Sequence, residues 1–271
     1  VPIWPFHTWL PDAHTEAPTA GSMLLAGVLL KLGCYGFLRI VLPFFPEPAQ
    51  IYAPILAVLA LLAIIMGALA AMAQTDFKRL VAYSSVNHMG FVVLAIATVA
   101  MTGASLEHRV IAYNGAVLQM FNHGITAAAM FMLVGVVYDR AHTRDLKAFG
   151  GLGVVVPVYG GILLFCTLAS LGLPGLNGFV SEFMVFRAAF PVFTAITALA
   201  TIGLVVTAAF LLWMIQRVLL GPLNPRWKDM PEISAREIIA VAPLMVLMLA
   251  IGIYPSWILQ VINQTVLHLL G

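Results

Sequence analysis

Between Gly21 and Val41 the chain reads GSMLLAGVLLKLGCYGFLRIV, an apolar run with Lys31 near its middle. Roughly 20 such residues cross the hydrocarbon core of a bilayer as one helix. Backbone groups find no water at that depth, so only helices and closed barrels can span it. The short alternating pattern of barrel strands is absent, which leaves helices. A lysine at bilayer depth costs about 2.5–3.5 kcal/mol on insertion scales, so it is expected to face a water-filled cavity or a partner group.

The same kind of run recurs at Ile51–Ala73, Leu80–Ala100, Val110–Tyr138, Val154–Leu171, Thr194–Leu220 and Ile238–Tyr254. That makes about seven spans by length. The chain therefore reads as an all-α polytopic membrane protein, a helix bundle within a single membrane domain over residues 1–271. Composition agrees, because 62% of residues are hydrophobic and only 9% charged, unlike a soluble domain.

Two stretches break the pattern. Pro2, Pro5 and Pro11 interrupt Trp4–His14, which reads as a short broken helical segment, with Thr15 or Thr19 as a cap before the Lys31 helix. The Pro174-Gly175 and Asn177-Gly178 pairs break the run after Leu171, and Phe179–Ala189 resumes as a half-helix. At the far end, Tyr254-Pro255-Ser256-Trp257 reads as an interfacial aromatic anchor with a short tail behind it.

Basic residues set the orientation. Counting loops alternately from the Lys31 helix, one side receives Lys78, Arg79, Arg140, Arg144, Lys147, Arg217, Arg226, Lys228 and Arg236, and the other receives Arg39 and Arg109. The positive-inside rule makes the first side cytoplasmic or its equivalent. Net charge is only +2, so no global basic field suggests a nucleic-acid partner. Cys34 and Cys166 lie in apolar runs and read as buried hydrophobes. The opening VPIWPFHTWLPDAH has neither an initiator methionine nor a basic leader, so the chain is expected to begin inside a larger protein.

Four ionisable residues inside apolar helices are the candidates for chemistry. Lys31 is a desolvated amine that a neighbouring charge can switch. Glu182 follows the Pro174 break, where a half-helix N-terminus favours negative charge. His88 and His123 sit on two helices beside Ser84 and Gln119, and an imidazole passes protons through its two nitrogens near neutral pH. Together they point to proton movement through a membrane. Glu182 has a blander alternative in a salt bridge to Arg187 or a capping role near Ser181. His7 and His14 read as structuring a turn, with no metal-ligand spacing. Asp76, Lys78, Arg79, Arg144 and Asp145 read as solvated loop charges or subunit contacts. Asp12 and Glu16 read as contacts to a neighbouring helix or as caps. Phosphate loops, hydrolase constellations and haem or iron–sulfur ligand patterns are missing, so no cofactor or metal is expected.

The blocks WPFHTWLPDAHTEAPTAGSMLLAGVLLK, AQTDFKRLVAYSSVNHMGF, QMFNHGITAA, HTRDLKAFGGL and LPGLNGFVSEF together resemble the antiporter-like subunits of respiratory complex I. The likeness is to the chain M type, the mitochondrial subunit 4 type, because GFVSEF carries a glutamate where the sister chains L and N carry a lysine. It covers nearly the whole chain. The family has about fourteen helices in two inverted repeats, each with a broken helix, and this chain resembles the second repeat plus the C-terminal helices. The resemblance implies a row of buried charges joined by water: Lys31 as the second channel lysine, His88 and His123 as the central histidines, and Glu182 as the terminal glutamate. It also implies a proton-translocating subunit of an NADH–quinone oxidoreductase, with redox chemistry in other subunits. Its partners would be the other membrane subunits, the lipid bilayer and protons. The expected location is a bacterial plasma membrane, or else an organelle inner membrane. Relatives of the same architecture leave open a cation/proton antiporter, a membrane-bound hydrogenase subunit or a non-conducting spacer. The family's first channel lysine and its paired glutamate lie upstream of the first block. The chain is therefore expected to be part of a larger one that does not pump alone.

Overall fold

The structure is a computed structural model that describes residues 1–270. Ten helices carry the fold: α1 (Trp9–Glu16), α2 (Thr19–Phe44), α3 (Pro46–Met72), α4 (Phe77–Ala100), α5 (Leu106–Ala141), α6 (Pro157–Leu171), α7 (Asn177–Ala189), α8 (Thr194–Leu219), α9 (Ala235–Ile253) and α10 (Ser256–Leu270). Helices α2, α3, α4, α5, α8 and α9 are each long and apolar enough to cross a membrane. Strands are absent among the described residues, and the only extended pairing there is a bridge between Asp76 and Asp145.

Capping residues set several helix starts. The Asp76 carboxylate accepts from the Lys78 and Arg79 amides at the head of α4. Ser105 accepts from the His108 amide before α5, and Ser234 and Glu237 form a reciprocal capping box before α9. The cap expected at Thr15 or Thr19 is not formed. Thr15 Oγ1 donates to the Pro11 carbonyl inside α1, and Pro18 holds the position before α2.

Helix α4 is the centre of the bundle, with nearly every residue buried. Lipid tails provide no hydrophobic drive between helices, so close contact depends on small residues. Helix α3 offers Ala53, Ala57, Ala60, Ala63, Gly67 and Ala71, all buried. A Cβ on Gly67 would fall 2.8 Å from the Asn87 amide nitrogen, and one on Gly90 would fall 3.1 Å from the Ala60 carbonyl. The backbones of α3 and α4 meet because neither glycine carries a side chain.

Loop charges turn out to be structural. Asp76 pairs with Arg144 at 3.1 Å, and Arg79 with Asp12 at 3.2 Å. Lys78 is 7% exposed, and its Nζ donates to the Ala17 carbonyl at 2.5 Å, which corrects its reading as a solvated charge. These contacts gather α1, α4 and α5 at the basic-rich end, called inner here. The opposite, outer end holds one more cation than expected, because Arg187 pairs with Glu107 there at 3.4 Å. The basic excess still lies on the inner side.

Helix breaks decide the middle of the bundle. Gly172 and Gly175 take φ of 81° and 94°, conformations open to glycine, and separate α6 from α7. Asn177, at the head of α7, exchanges hydrogen bonds with Asn122, which lies at the midpoint of α5. A second break was read as a surface anchor. Gly252 at the end of α9 packs directly on Gly175 and Leu176. Tyr254-Pro255 therefore lies at mid-membrane, beside the first break, rather than at the interface. Helix α10 carries the chain onward: Asn263 accepts from Asn114 Nδ2 at 2.8 Å, and Leu269 and Leu270 reach Arg109 and Thr102 at the outer end. The last traversal is thus a second broken helix, α9 plus α10.

Candidate functional site

The four candidate residues come from four different helices and meet in one layer. Helix α2 contributes Lys31. The turn Leu25–Leu29 before it is wound as a π-helix, a local irregularity that is frequent at functional sites. Lys31 Nζ donates to the Ala26 carbonyl and lies 2.8 Å from His123 Nδ1 on α5. Two glycines permit that approach, since a Cβ on Gly124 would fall 2.9 Å from the Gly27 carbonyl.

His123 Nε2 lies 3.2 Å from the hydroxyl of Ser85 on α4. One turn further along α4 is His88, whose ring centroid is 5.5 Å from that of His123. His88 Nδ1 lies 3.1 Å from Glu182 Oε1 on α7, and Ser170 of α6 touches His88 Nε2 at 3.2 Å. Gln119 Nε2 donates to the same Glu182 oxygen at 3.3 Å. Ser181 donates to Gln119 Oε1 at 2.5 Å, and Asn122 Nδ2 donates to Ser181 Oγ at 2.8 Å. A Cβ on Gly172 would fall 2.9 Å from Glu182 Oε2, so the glycine that breaks the helix also makes room for the carboxylate.

His88 and His123 are 3% exposed and Glu182 is 5% exposed. A buried carboxylate is tolerated only when paired and hydrogen-bonded, and His88 with Gln119 meets that need. Arg187 does not, because it pairs with Glu107. Lys31 does not snorkel to the surface; its ammonium is held on a carbonyl and an imidazole inside the bundle. Gln119 and His123 occupy one turn at the midpoint of α5, so the row runs along the membrane plane rather than across it.

Direction of donation follows from charge. A protonated Lys31 makes His123 Nδ1 the acceptor and leaves the ring proton on Nε2, facing Ser85. An ionised Glu182 makes His88 Nδ1 the donor and leaves Nε2 to accept from Ser170. Each imidazole therefore has one nitrogen on a charged end group and the other on a serine. Proton exchange along such a row needs only local transfers.

Residues beyond the expected four complete the site. Gln119 was expected beside His123, whereas Ser84, expected to share a face with His88, donates to the Val81 carbonyl and its neighbour Ser85 meets His123 instead. Asn177 was read only as part of the helix break and Ser181 only as a neighbour in the capping alternative, while Ser170 and Asn122 gave no signal, because a small polar residue in an apolar helix is a common and uninformative event. His7 and His14 are not turn residues alone: His7 meets the Tyr83 ring edge-on, and His14 lies fully buried in α1.

A bundle with glycine-broken half-helices and a lysine–histidine–glutamate row at mid-depth defines an antiporter-like membrane subunit. Residues 1–210 match the family described as NADH:quinone oxidoreductase/Mrp antiporter, TM, and the chain belongs to that family. It is 44% identical over 270 residues to NADH-quinone oxidoreductase subunit M of Rhodobacter capsulatus, covering 99% of this chain and 51% of the relative. It is 41% identical over 271 residues to NADH-ubiquinone oxidoreductase chain 4 of Chondrus crispus, covering 100% of this chain and 53% of the relative. The solved structure of respiratory complex I from Thermus thermophilus with bound NADH contains a chain that superposes with a TM-score of 0.88 at 28% identity, covering 100% of this chain and 56% of that one. The chain thus spans about half the length of the curated relatives it matches. It is an integral, multi-pass membrane protein.

Proposed function

We propose that this chain carries protons through the membrane arm of an NADH–quinone oxidoreductase, along Lys31, His123, His88 and Glu182, while electrons move in other subunits. The observation that carries the proposal is the alignment, on four helices at mid-depth, of Lys31 on His123 and of His88 on Glu182, with the two imidazoles 5.5 Å apart and Ser85 on His123. Burial makes each charge dependent on its neighbour. A change in charge at one end therefore alters proton affinity at the other, which is the property a coupled pump requires. When Lys31 gives its proton to His123 Nδ1, the Nε2 proton leaves past Ser85 and His88 takes it up at Nε2, the nitrogen that otherwise accepts from Ser170. His88 passes its own Nδ1 proton to Glu182. Other membrane subunits of the oxidoreductase are the partners in this reading, which the names of the relatives support. The transported charge works against a field of about 2.3 kcal/mol per 100 mV.

Lys31→Ala in the full-length subunit tests the proposal, with proton uptake measured against NADH oxidation in inverted membrane vesicles. Loss of coupling with the complex intact is expected, and unchanged coupling would refute the proposal. The family description also includes Mrp antiporters, so exchange of a metal cation for protons is the second reading. Sodium-dependent proton release by the purified complex without NADH would favour it. A non-conducting spacer would leave coupling indifferent to both Lys31 and Glu182.

A further inference from the structure

His14 is 0% exposed, and neither ring nitrogen has a hydrogen-bond partner. The imidazole stacks on Phe131 of α5 with centroids 4.3 Å apart and planes 10° from parallel. A core histidine kept only for packing would be better served by phenylalanine, which leaves no polar atoms unpaired. Its position suggests why the nitrogens are there. On the inner side a cavity of about 230 Å³ is walled by Glu16, Lys78, Tyr138, Arg144, Thr19 and Gly135. On the other side is Lys31, whose side chain turns back toward the inner end to reach the Ala26 carbonyl.

Helix α2 gives the order of these groups. Thr19 lines the cavity, Ser22 donates to the His14 carbonyl at 3.0 Å, and Ala26 receives the Lys31 ammonium. Those positions are three and four residues apart, so they share a face with steps of roughly 5–6 Å along the axis. Helix α5 repeats the sequence, with Gly135 at the cavity, Phe131 under His14, and Gly124 and His123 at Lys31. His14 therefore sits between the inner cavity and the amine.

We propose that His14 is the relay by which protons from inner solvent reach Lys31, an inference that rests on the reading of Lys31 as a proton carrier. A hydronium ion in the cavity gives its proton to one ring nitrogen and leaves as water. The imidazolium releases the proton on its other nitrogen to the neutral Lys31 amine, directly or through one water. The ring ends neutral in the opposite tautomer, and turning about its side-chain bonds restores the first. One proton has moved and no electrons have. Lys78 and Arg144 on the cavity wall repel excess protons and Glu16 attracts them, Tyr138 lines the same wall, and Lys31 and His123 lie on the far side of the ring.

The test uses the full-length subunit in its assembled complex, with His14→Phe, His14→Gln and Lys31→Ala compared for complex yield, NADH oxidation with ferricyanide and protons moved per electron. Phenylalanine keeps the stack on Phe131 and removes the nitrogens. Glutamine keeps polarity and cannot cycle a proton. A relay predicts that both assemble, keep ferricyanide activity and lose coupled proton movement by about tenfold or more. Normal coupling in His14→Phe, with coupling lost in Lys31→Ala, would overturn the relay and leave the Lys31 row standing. Normal coupling in Lys31→Ala would instead remove the reading beneath it. Failure of both His14 variants to assemble would assign the residue to packing and overturn the relay.

Discussion

Gly172 links helix geometry to the proposed chemistry, and replacing it with alanine separates the two effects. Its φ of 81° lies in the left-handed region, where a Cβ costs about 1–2 kcal/mol. The same Cβ would fall 2.9 Å from Glu182 Oε2, closer than side chains settle. The carboxylate has to swing away, which stretches its contacts to His88 at 3.1 Å and Gln119 at 3.3 Å. Hydrogen bonds to charged groups are worth about 1.5–3 kcal/mol each, so weakening both adds roughly 2–3 kcal/mol to the cost. The total of about 3–5 kcal/mol combines the backbone and hydrogen-bond terms. Only the hydrogen-bond part touches the proton row. Gly161→Ala is the matched control, because it lies in α6 with nothing within 4 Å of its would-be Cβ. The assay is protons moved per electron in inverted vesicles, together with thermal inactivation of the solubilised complex. Gly172→Ala is expected to lose coupling and inactivate at lower temperature, while Gly161→Ala matches the parent on both. Parental coupling in Gly172→Ala would show that the His88–Glu182 contact is not needed for proton movement, and the argument from geometry would fail.

Other expectations concern the scaffold. Arg140 forks onto Glu237 at 3.0 and 2.8 Å and also donates to the carbonyls of Val136, Pro231 and Glu232. Arg140→Ala should destabilise the inner end by about 2–3 kcal/mol, less than for a fully buried pair because both side chains keep some solvent; a differential scan of the detergent-solubilised complex reads this, and an unchanged melting temperature would count against it. Gly67→Val places its Cβ 2.8 Å from the Asn87 backbone, so α3 must leave α4 at a cost of about 1–3 kcal/mol or more. Sharply reduced assembly on a native gel is the expected result, and normal yield would contradict the close packing.

Much of the fold was legible from local physics. Long apolar runs announce spans because a helix satisfies its own backbone in lipid, and six such runs became helices within a few residues of their expected limits. The Pro174-Gly175 break was readable for the same reason, since proline and glycine act on the backbone wherever they stand. Lys31, His88, His123 and Glu182 stood out because charge in an apolar run is costly. The resemblance to the complex I antiporter-like subunits added the roles that burial cost alone does not assign.

Tertiary structure decided everything that depends on where distant segments meet. Tyr254-Pro255 has the aromatic and proline signature of an interface, yet Gly252 packing on Gly175 puts it at mid-depth; hydropathy carries no depth coordinate. Lys78 and His14 belong to segments that look exposed or turn-like, and contacts with Ala17 and Phe131 bury them. The pairing of Glu182 with His88 instead of Arg187 likewise joins residues 94 apart in the chain. The sequence by itself determined which side chains could not tolerate lipid, because that cost is local to each residue. Only the packed bundle determined which partner relieves each one, because a hydrogen bond is set by a distance in space that no spacing along the chain encodes.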